Sequence, residues 1–383
     1  MRPDVFIVSA EPSGDALAAA LRESLKTHSF QTTTEFIGGR AMETGEPSPV
    51  NMDGLAILGF AEGVRSLPLV RRKVREVSNH ILSRDPRSVV LIDSWGFMVR
   101  VAKQLKRRGY GGHIVKYVSP QVWATRSGRA RVLARHVDYL LSTQPMDAPC
   151  YDGTGLPLIY VGNPVLDQDY RAGDAAAFCA RHDLDPNRPT LGVFPGSRPS
   201  EFDRLLGPIR DNVLALGDAV PGLQTVWVLS SSADESVESV ARHAEASAVC
   251  DQTELIDALA AIDVAHAASG TITTQLACAG VPTVVVYKLS PLTFFFASRL
   301  FKPDYISLVN IAADAPLMPE FMQDDVGGEG LRAALRGNLV DADARRDAGD
   351  ALLRQTHAMG AGQQNASDRA AEALLAILRG EAP

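Results

Sequence analysis

The chain is short of cysteine, of positive charge and of long apolar runs, and each shortage removes a class of function. Four cysteines in 383 residues, Cys150, Cys179, Cys250 and Cys278, stand apart without paired spacing. That pattern argues against a disulfide framework or a zinc site and suits buried thiols in a reducing compartment. The formal net charge is −7, so no global basic field gathers nucleic acid, and attraction to an anionic surface must rest on a local patch. No apolar run is long enough to span a bilayer, and the opening MRPDVFIVSAEPSGD enters a strand without the charged-then-apolar order of a signal peptide. A cytoplasmic protein is expected, with membrane contact, if any, peripheral. The dinucleotide fingerprint G-x-G-x-x-G is missing, which counts against a nicotinamide or flavin enzyme. The G-x-x-x-x-G-K-[ST] loop is also missing, which counts against ATP-driven phosphoryl transfer.

What is present is a repeated order of strand, loop and helix. A chain of 383 residues exceeds one ordinary core and suggests two domains of roughly 150 to 200 residues each. The clearest unit runs from Ile262 to Tyr287. The apolar run Asp263 to Ala268 ends at Ser269-Gly270-Thr271, a helix Ile272 to Ala279 is stopped by Gly280, and Val284 to Val286 resumes as strand. Two readings of the turn fit. Either Ser269 or Thr271 caps the helix and nothing more, or Gly270 admits a ligand to first-turn N–H groups that favour an anion.

The same order opens the chain. Val5 to Ala10 reads as strand, Glu11 to Asp15 as loop and Ala16 to Leu25 as helix, with Ser13 or Asp15 either a cap or a ligand contact. Phe36 to Gly39 reads as strand and turn, Leu55 to Phe60 with Glu62 as an apolar loop, and Arg65 to Leu82 as an amphipathic helix. Arg71, Arg72, Lys73 and Arg75 on that helix read as a solvated face. Ser88 to Asp93 is a strand ending on a carboxylate, followed by Ser94 to Met98 and a helix Val99 to Arg108. Ligands collect at the carboxyl ends of such strands, so Asp93 suits a base or a hydroxyl-binding group; helix capping is the alternative. Strands follow at His113 to Val118, Val137 to Leu141 and Leu158 to Val161, and the polar stretch Asp167 to Asp185 reads as a linker.

The second half restarts the alternation. Thr190 to Phe194 is a strand ending in Pro195-Gly196-Ser197-Arg198, with Glu201 near the start of the next helix. Thr225 to Leu229 is another strand, Asp251 to Ala260 a helix or turn, and Ala370 to Arg379 a final amphipathic helix. The fold class is therefore α/β, with two Rossmann-like domains facing across a cleft. The expected divisions are 1–166, 167–355 and a helical segment 356–383. Two loops of the second half, PGSR and SGT, each bring glycine, hydroxyls and helix N-terminal N–H groups, and Arg198 adds a positive fork. Together they suit a nucleotide diphosphate that serves as a leaving group.

These segments, in order and spacing, resemble the lipid-A-disaccharide synthases, a family of GT-B glycosyltransferases, along nearly the whole chain. The matching stretches are SAEPSGD at Ser9 to Asp15, ILGFAE at Ile57 to Glu62, LID at Leu91 to Asp93 and YVSPQVWA at Tyr117 to Ala124. They continue with VGNP at Val161 to Pro164, FPGSR at Phe194 to Arg198, ASGT at Ala268 to Thr271 and SLVN at Ser307 to Asn310. The resemblance implies an N-terminal domain that receives a lipid acceptor and a C-terminal domain that holds a UDP-sugar. It implies transfer from UDP-2,3-diacylglucosamine to 2,3-diacylglucosamine 1-phosphate, with Asp93 as general base and inversion at the anomeric carbon. Glu11, Ser13, Gly14, Asp15, Ser119 and Gln121 would line the acceptor side. Gly196, Ser197, Arg198, Ser269, Gly270 and Thr271 would hold the diphosphate, and Gln275 with Asn310 the nucleoside. No cofactor is expected, and no metal, since no Asp-x-Asp element stands at a strand end.

The chain departs from the family pattern at several places. D-x-P-D-F-N becomes Asp93 to Met98, with Gly96 and Met98 replacing the second Asp and the Asn, and the carboxylate four residues after the SGT threonine becomes Gln275. Thr125 replaces a tryptophan, Asn163 a histidine, and P-F-E becomes Pro145-Met146-Asp147. Such changes leave room for a non-catalytic or altered-substrate paralogue, and the shared architecture for a UDP-sugar 2-epimerase. The run Leu289 to Phe301 sets Phe294, Phe295, Phe296, Leu300 and Phe301 beside Arg299 and Lys302. It reads either as a core helix or, for an enzyme of membrane lipids, as a segment lying in the headgroup layer of the inner membrane.

Overall fold

The computed structural model describes residues 2–39, 47–52, 67–230, 232–363 and 365–381. The ILGFAE segment, the start of the expected helix at Arg65, and the side chains of Ser13, Phe296 and Leu300 lie outside the described residues. The chain divides into two units, Met1–Pro164 with Gln364–Pro383, and Val165–Gln363.

In the first unit β1 (Val5–Val8), α1 (Pro12–His28), β2 (Thr34–Ile37), α2 (Leu67–Arg84), β3 (Ser88–Ile92) and α3 (Trp95–Arg107) alternate. They are followed by β4 (His113–Tyr117), α4 (Gly128–Ala134), β5 (Tyr139–Ser142), α5 (Ala148–Tyr151) and β6 (Leu158–Tyr160). The six strands form a parallel sheet in the order β2-β1-β3-β4-β5-β6. Because helices cover both faces, β1 and β3 are buried at every residue and, after Ser88 in β3, carry unbroken apolar runs rather than alternation.

In the second unit come α6 (Ala175–His182), β7 (Thr190–Phe194), α7 (Pro199–Ala219), β8 (Gln224–Leu229), α8 (Glu235–His243), β9 (Ala248–Asp251) and α9 (Leu255–Ala261). Then follow β10 (Val264–Ala268), α10 (Thr271–Ala279), β11 (Thr283–Tyr287), α11 (Pro291–Leu300), α12 (Leu308–Ala313), β12 (Glu320–Met322), α13 (Glu329–Val340) and α14 (Ala342–Ala358). Its sheet is also parallel, in the order β12-β11-β10-β7-β8-β9. The last helix, α15 (Ala366–Arg379), returns to the first unit. Its Ala370, Ala371, Leu374 and Ile377 share a core with Ala18, Leu21 and Leu25 of α1. Arg369 fixes that return by donating from Nε to the Val161 carbonyl at 2.8 Å.

Three local expectations change. The polar stretch Asp167 to Asp185 is not a linker: Tyr170, Phe178 and Leu184 are buried in a core of the second unit, so its few apolar side chains decide its place. Lys73 is not on a solvated face but buried on α2 with its ammonium 3.1 Å from Glu76, whereas Arg71, Arg72 and Arg75 are exposed. The segment 356–383 is divided, its first residues closing α14 and the rest forming α15 on the other unit.

Candidate active site

In both sheets the strand order reverses once, between β1 and β3 and between β7 and β10, and loops at the carboxyl ends of strands flanking a reversal form the usual ligand crevice. Glu11, Ser13, Gly14, Asp15 and Asp93 follow the strands at the first reversal, and Gly196, Ser197, Arg198, Ser269, Gly270 and Thr271 those at the second, whereas Ser119 and Gln121 follow β4, Gln275 lies within α10 and Asn310 is on α12.

In the first unit Glu11 follows β1 and Asp93 follows β3. Asp93 and Ser94 both adopt left-handed backbone, with φ of +48° and +36°, a conformation that costs energy in non-glycine residues and tends to mark functional corners. Ser94 occupies the N-cap of α3 without capping it; its hydroxyl donates instead to Glu11 Oε1 at 2.5 Å. Asp93 is not the N-cap residue of α3, and it is half-buried where the strand order of the first sheet reverses. The N-cap of α1 is Glu11, not Ser13 or Asp15. Asp15 is buried and accepts the Gly39 N–H at 3.0 Å, which makes it a strut between α1 and the β2 loop rather than an open acceptor contact. Gly14 is needed for space, since a Cβ there would lie 2.7 Å from Ser9 Oγ.

Ser119 also turns inward. It is buried and shares a 2.9 Å hydrogen bond with the Tyr151 hydroxyl, while the nearby Asp147 carboxylate accepts the Ser142 hydroxyl at 2.6 Å. Burial holds the Asp147 carboxyl above the usual carboxylate range, although its hydrogen bonds to Ser142 and Ser119 oppose this. Gln121 is exposed in the same loop. Sequence reasoning missed Lys116, a fully buried lysine beside Asp93, because lysine is the residue type least expected to be fully buried.

In the second unit the PGSR loop already holds an anion. Glu201 Oε2 accepts the N–H groups of Ser197 at 2.8 Å and Arg198 at 3.2 Å, and its Oε1 accepts from Arg198 Nη1 at 2.8 Å. The loop amides expected to meet phosphate thus cap α7 onto a carboxylate, and the Arg198 side chain, 71% exposed, is what the loop offers outward. Gly196 has a φ of +115°, and a Cβ there would sit 2.6 Å from Glu201 Oε2, so only glycine permits this turn. Ser232, after β8, donates to the Ser197 carbonyl at 2.5 Å and steadies the loop.

The SGT loop is different. Neither Ser269 nor Thr271 caps α10; Gly270 holds the N-cap position with no side-chain capping bond, and the Thr273 hydroxyl donates to its carbonyl at 2.8 Å. Gly270 is exposed, and a Cβ on it would meet open space, so the backbone there is accessible. A nine-residue helix with an uncapped N-terminus, one strand away from exposed Arg198, is a seat for a negatively charged group. Gln275 donates to the Tyr170 hydroxyl at 3.2 Å. Asn310 corrects the expectation made for it. It is buried, donates to the Met318 carbonyl at 2.7 Å and to Glu320 at 2.9 Å, and accepts the Met318 N–H at 2.9 Å, so its amide is engaged inside the fold. Glu320, which sequence reasoning missed, organises this corner by also accepting the N–H groups of Ile306 at 2.7 Å and Ser307 at 2.8 Å.

Comparison with known proteins gives the family and the fold. The family profile described as lipid-A-disaccharide synthetase matches residues 5–376. Lipid-A-disaccharide synthase of Paramagnetospirillum magneticum is 37% identical over 380 residues, covering 98% of this chain and 97% of that protein. The synthase of Rhodospirillum centenum is 36% identical over 383 residues, covering 98% and 94%. Among solved structures, S. aureus MnaA with UDP superposes with a TM-score of 0.65 at 10% identity, covering 98% of this chain and 97% of that one, a likeness of fold alone. With two parallel-sheet Rossmann-like domains and a profile match over nearly its whole length, the chain belongs to the lipid-A-disaccharide synthetase family.

Proposed function

We propose that this enzyme, by family a glycosyltransferase of lipid A biosynthesis, joins UDP-2,3-diacylglucosamine to 2,3-diacylglucosamine 1-phosphate. The products are the tetraacyl disaccharide 1-phosphate and UDP. The observation that supports the reading within the family is Asp93 held in a left-handed corner at the reversal of the first sheet, where the hydroxyl of the next residue, Ser94, is bonded to Glu11. Asp93 removes the proton from the acceptor 6-hydroxyl as that oxygen attacks the anomeric carbon, and the configuration inverts. Arg198 and the uncapped N-terminus of α10 receive the negative charge that develops on the departing diphosphate. Glu11 and Gln121 meet the acceptor, while Gly14, Asp15 and Ser119 shape its side of the site from beneath. Gln275 contacts the nucleoside, and Asn310 with Glu320 holds the backbone around it.

The substrates are lipids, and the enzyme meets them at the cytoplasmic face of the inner membrane. No helix among the described residues is long and apolar enough to cross a bilayer. The contact we assign is α11, where Phe295 is 51% exposed and the Arg299 guanidinium lies 3.6 Å from its ring centroid. Incubating the purified protein with both diacyl sugars tests the function. Release of UDP together with disaccharide is expected; an epimerised sugar, or binding of UDP-sugar without turnover, would replace the reading with that of an isomerase or a silent relative.

A further inference from the structure

Lys116 occupies a place built for an apolar side chain. On β4 it stands in register with Leu91 of β3 and Leu140 of β5, both fully buried in the core that also holds Ile114, Met98 and Leu133. Its own exposure is 1%. An ammonium is among the costliest groups to bury, and a titratable group kept so at the carboxyl end of a sheet is a candidate for function. The amine donates to the Tyr117 carbonyl at 2.8 Å, and the same oxygen accepts the Asp93 N–H at 3.0 Å. One carbonyl therefore ties the lysine to the corner that holds Asp93 and Ser94 in left-handed backbone.

The ionisable groups on the surrounding elements include Asp93 after β3, Glu11 after β1, Asp147 and Tyr151 after β5, Arg71, Arg72, Lys73, Arg75, Glu76, His80 and Arg84 on α2, Arg100, Lys103, Lys106 and Arg107 on α3, and Arg129 and Arg131 on α4. Of these, Asp93 is the one whose charge acts on the amine. Burial lowers the Lys116 pKa to about 7, and the Asp93 carboxylate opposes that fall.

We propose that Lys116 is a positioning residue for glycosyl transfer: as a neutral amine it lets Asp93 accept the acceptor proton, and as a buried ammonium it holds Asp93 charged and slows that step. The inference rests on Asp93 being the base. In the step itself the acceptor O–H bond breaks, its proton goes to the Asp93 carboxylate, the O–C1 bond forms, and the C1–O bond to phosphate breaks with its electron pair leaving on UDP. Lys116 gains and loses no atom. If it is charged when Asp93 becomes neutral, a buried cation is left without its counter-charge, and the barrier rises.

The test is the pH dependence of kcat and KM for the parent, Lys116→Met and Lys116→Gln, with Asp93→Asn alongside. In the parent kcat should climb ~tenfold from about pH 6 to about pH 8. Both lysine variants should lose that limb while the donor KM stays within about twofold. Lys116→Gln, which retains a donor for the Tyr117 carbonyl, separates charge from anchoring. The limb persisting at its parental midpoint in both variants would overturn the proposal. Should a variant fail to fold, the 13Cε resonance of Lys116 followed against pH in the parent and in Asp93→Asn decides. A lower midpoint in Asp93→Asn is expected, and an unmoved one overturns the coupling. Near-parental turnover of Asp93→Asn would instead remove the base assignment on which the proposal stands.

Discussion

Arg198 reaches outward from a loop whose backbone is already committed to Glu201, so its guanidinium is the part of PGSR left to meet a diphosphate. Hydrogen bonds to charged partners are worth about 1.5–3 kcal/mol, and solvent exposure places this one at the lower end, so Arg198→Ala should weaken UDP binding by about tenfold. It should also lower kcat, because the same group meets the charge formed on departure. Calorimetry with UDP checks this, and unchanged affinity would place the diphosphate elsewhere. Asp93→Asn keeps the shape of the side chain but cannot take a proton, so turnover should fall on the order of 10² to 10⁴ with the circular dichroism spectrum unchanged. Activity near the parent's would pass the role to Glu11. Asp93 and Glu11 were legible because both terminate apolar runs. Lys116 and Asn310 were not: one hides in a sheet covered on both faces, and the other has its amide bonded to residues eight and ten positions away.

The elements themselves were largely readable, since strands buried on both faces show as short apolar blocks between helical patterns. What misled was polarity without context. The stretch containing α6 looks like a linker because few of its residues are both large and apolar, yet Tyr170, Phe178 and Leu184 dock it. At α10 the hydroxyls of SGT suggested a cap, and the fold instead places glycine there, leaving the helix end open to an anion. For α11 the choice between core and surface turned on exposure, which one strand of sequence does not carry. With Phe295 outward and stacked by Arg299, Phe295→Ser combined with Arg299→Ser should reduce co-sedimentation with anionic vesicles severalfold at low salt. High salt should weaken binding of the parent protein too. Equal sedimentation of parent and variant at both salts would move the contact to the exposed arginines of α2.

For the whole molecule, two similar sheets were foreseeable from the double β/α alternation, but the return of α15 to the first unit was not, because its amphipathic face does not name a partner. The profile match spans residues 5–376 of this arrangement, and the positions read in the sequence as departures from the family pattern, Gly96, Met98, Thr125, Asn163 and Gln275, fall within it. Gln275 donates to the Tyr170 hydroxyl and cannot make the charge-assisted bond of a carboxylate, so on the proposed reading any bond it makes to the nucleoside is a neutral one. The central claim is direct displacement at the donor sugar with Asp93 as base. The anomeric configuration of the disaccharide, read by NMR from a reaction in which UDP release is counted in parallel, tests it most directly. The account expects one UDP per disaccharide and a linkage inverted relative to the donor; a retained configuration, or UDP released without disaccharide, would contradict it.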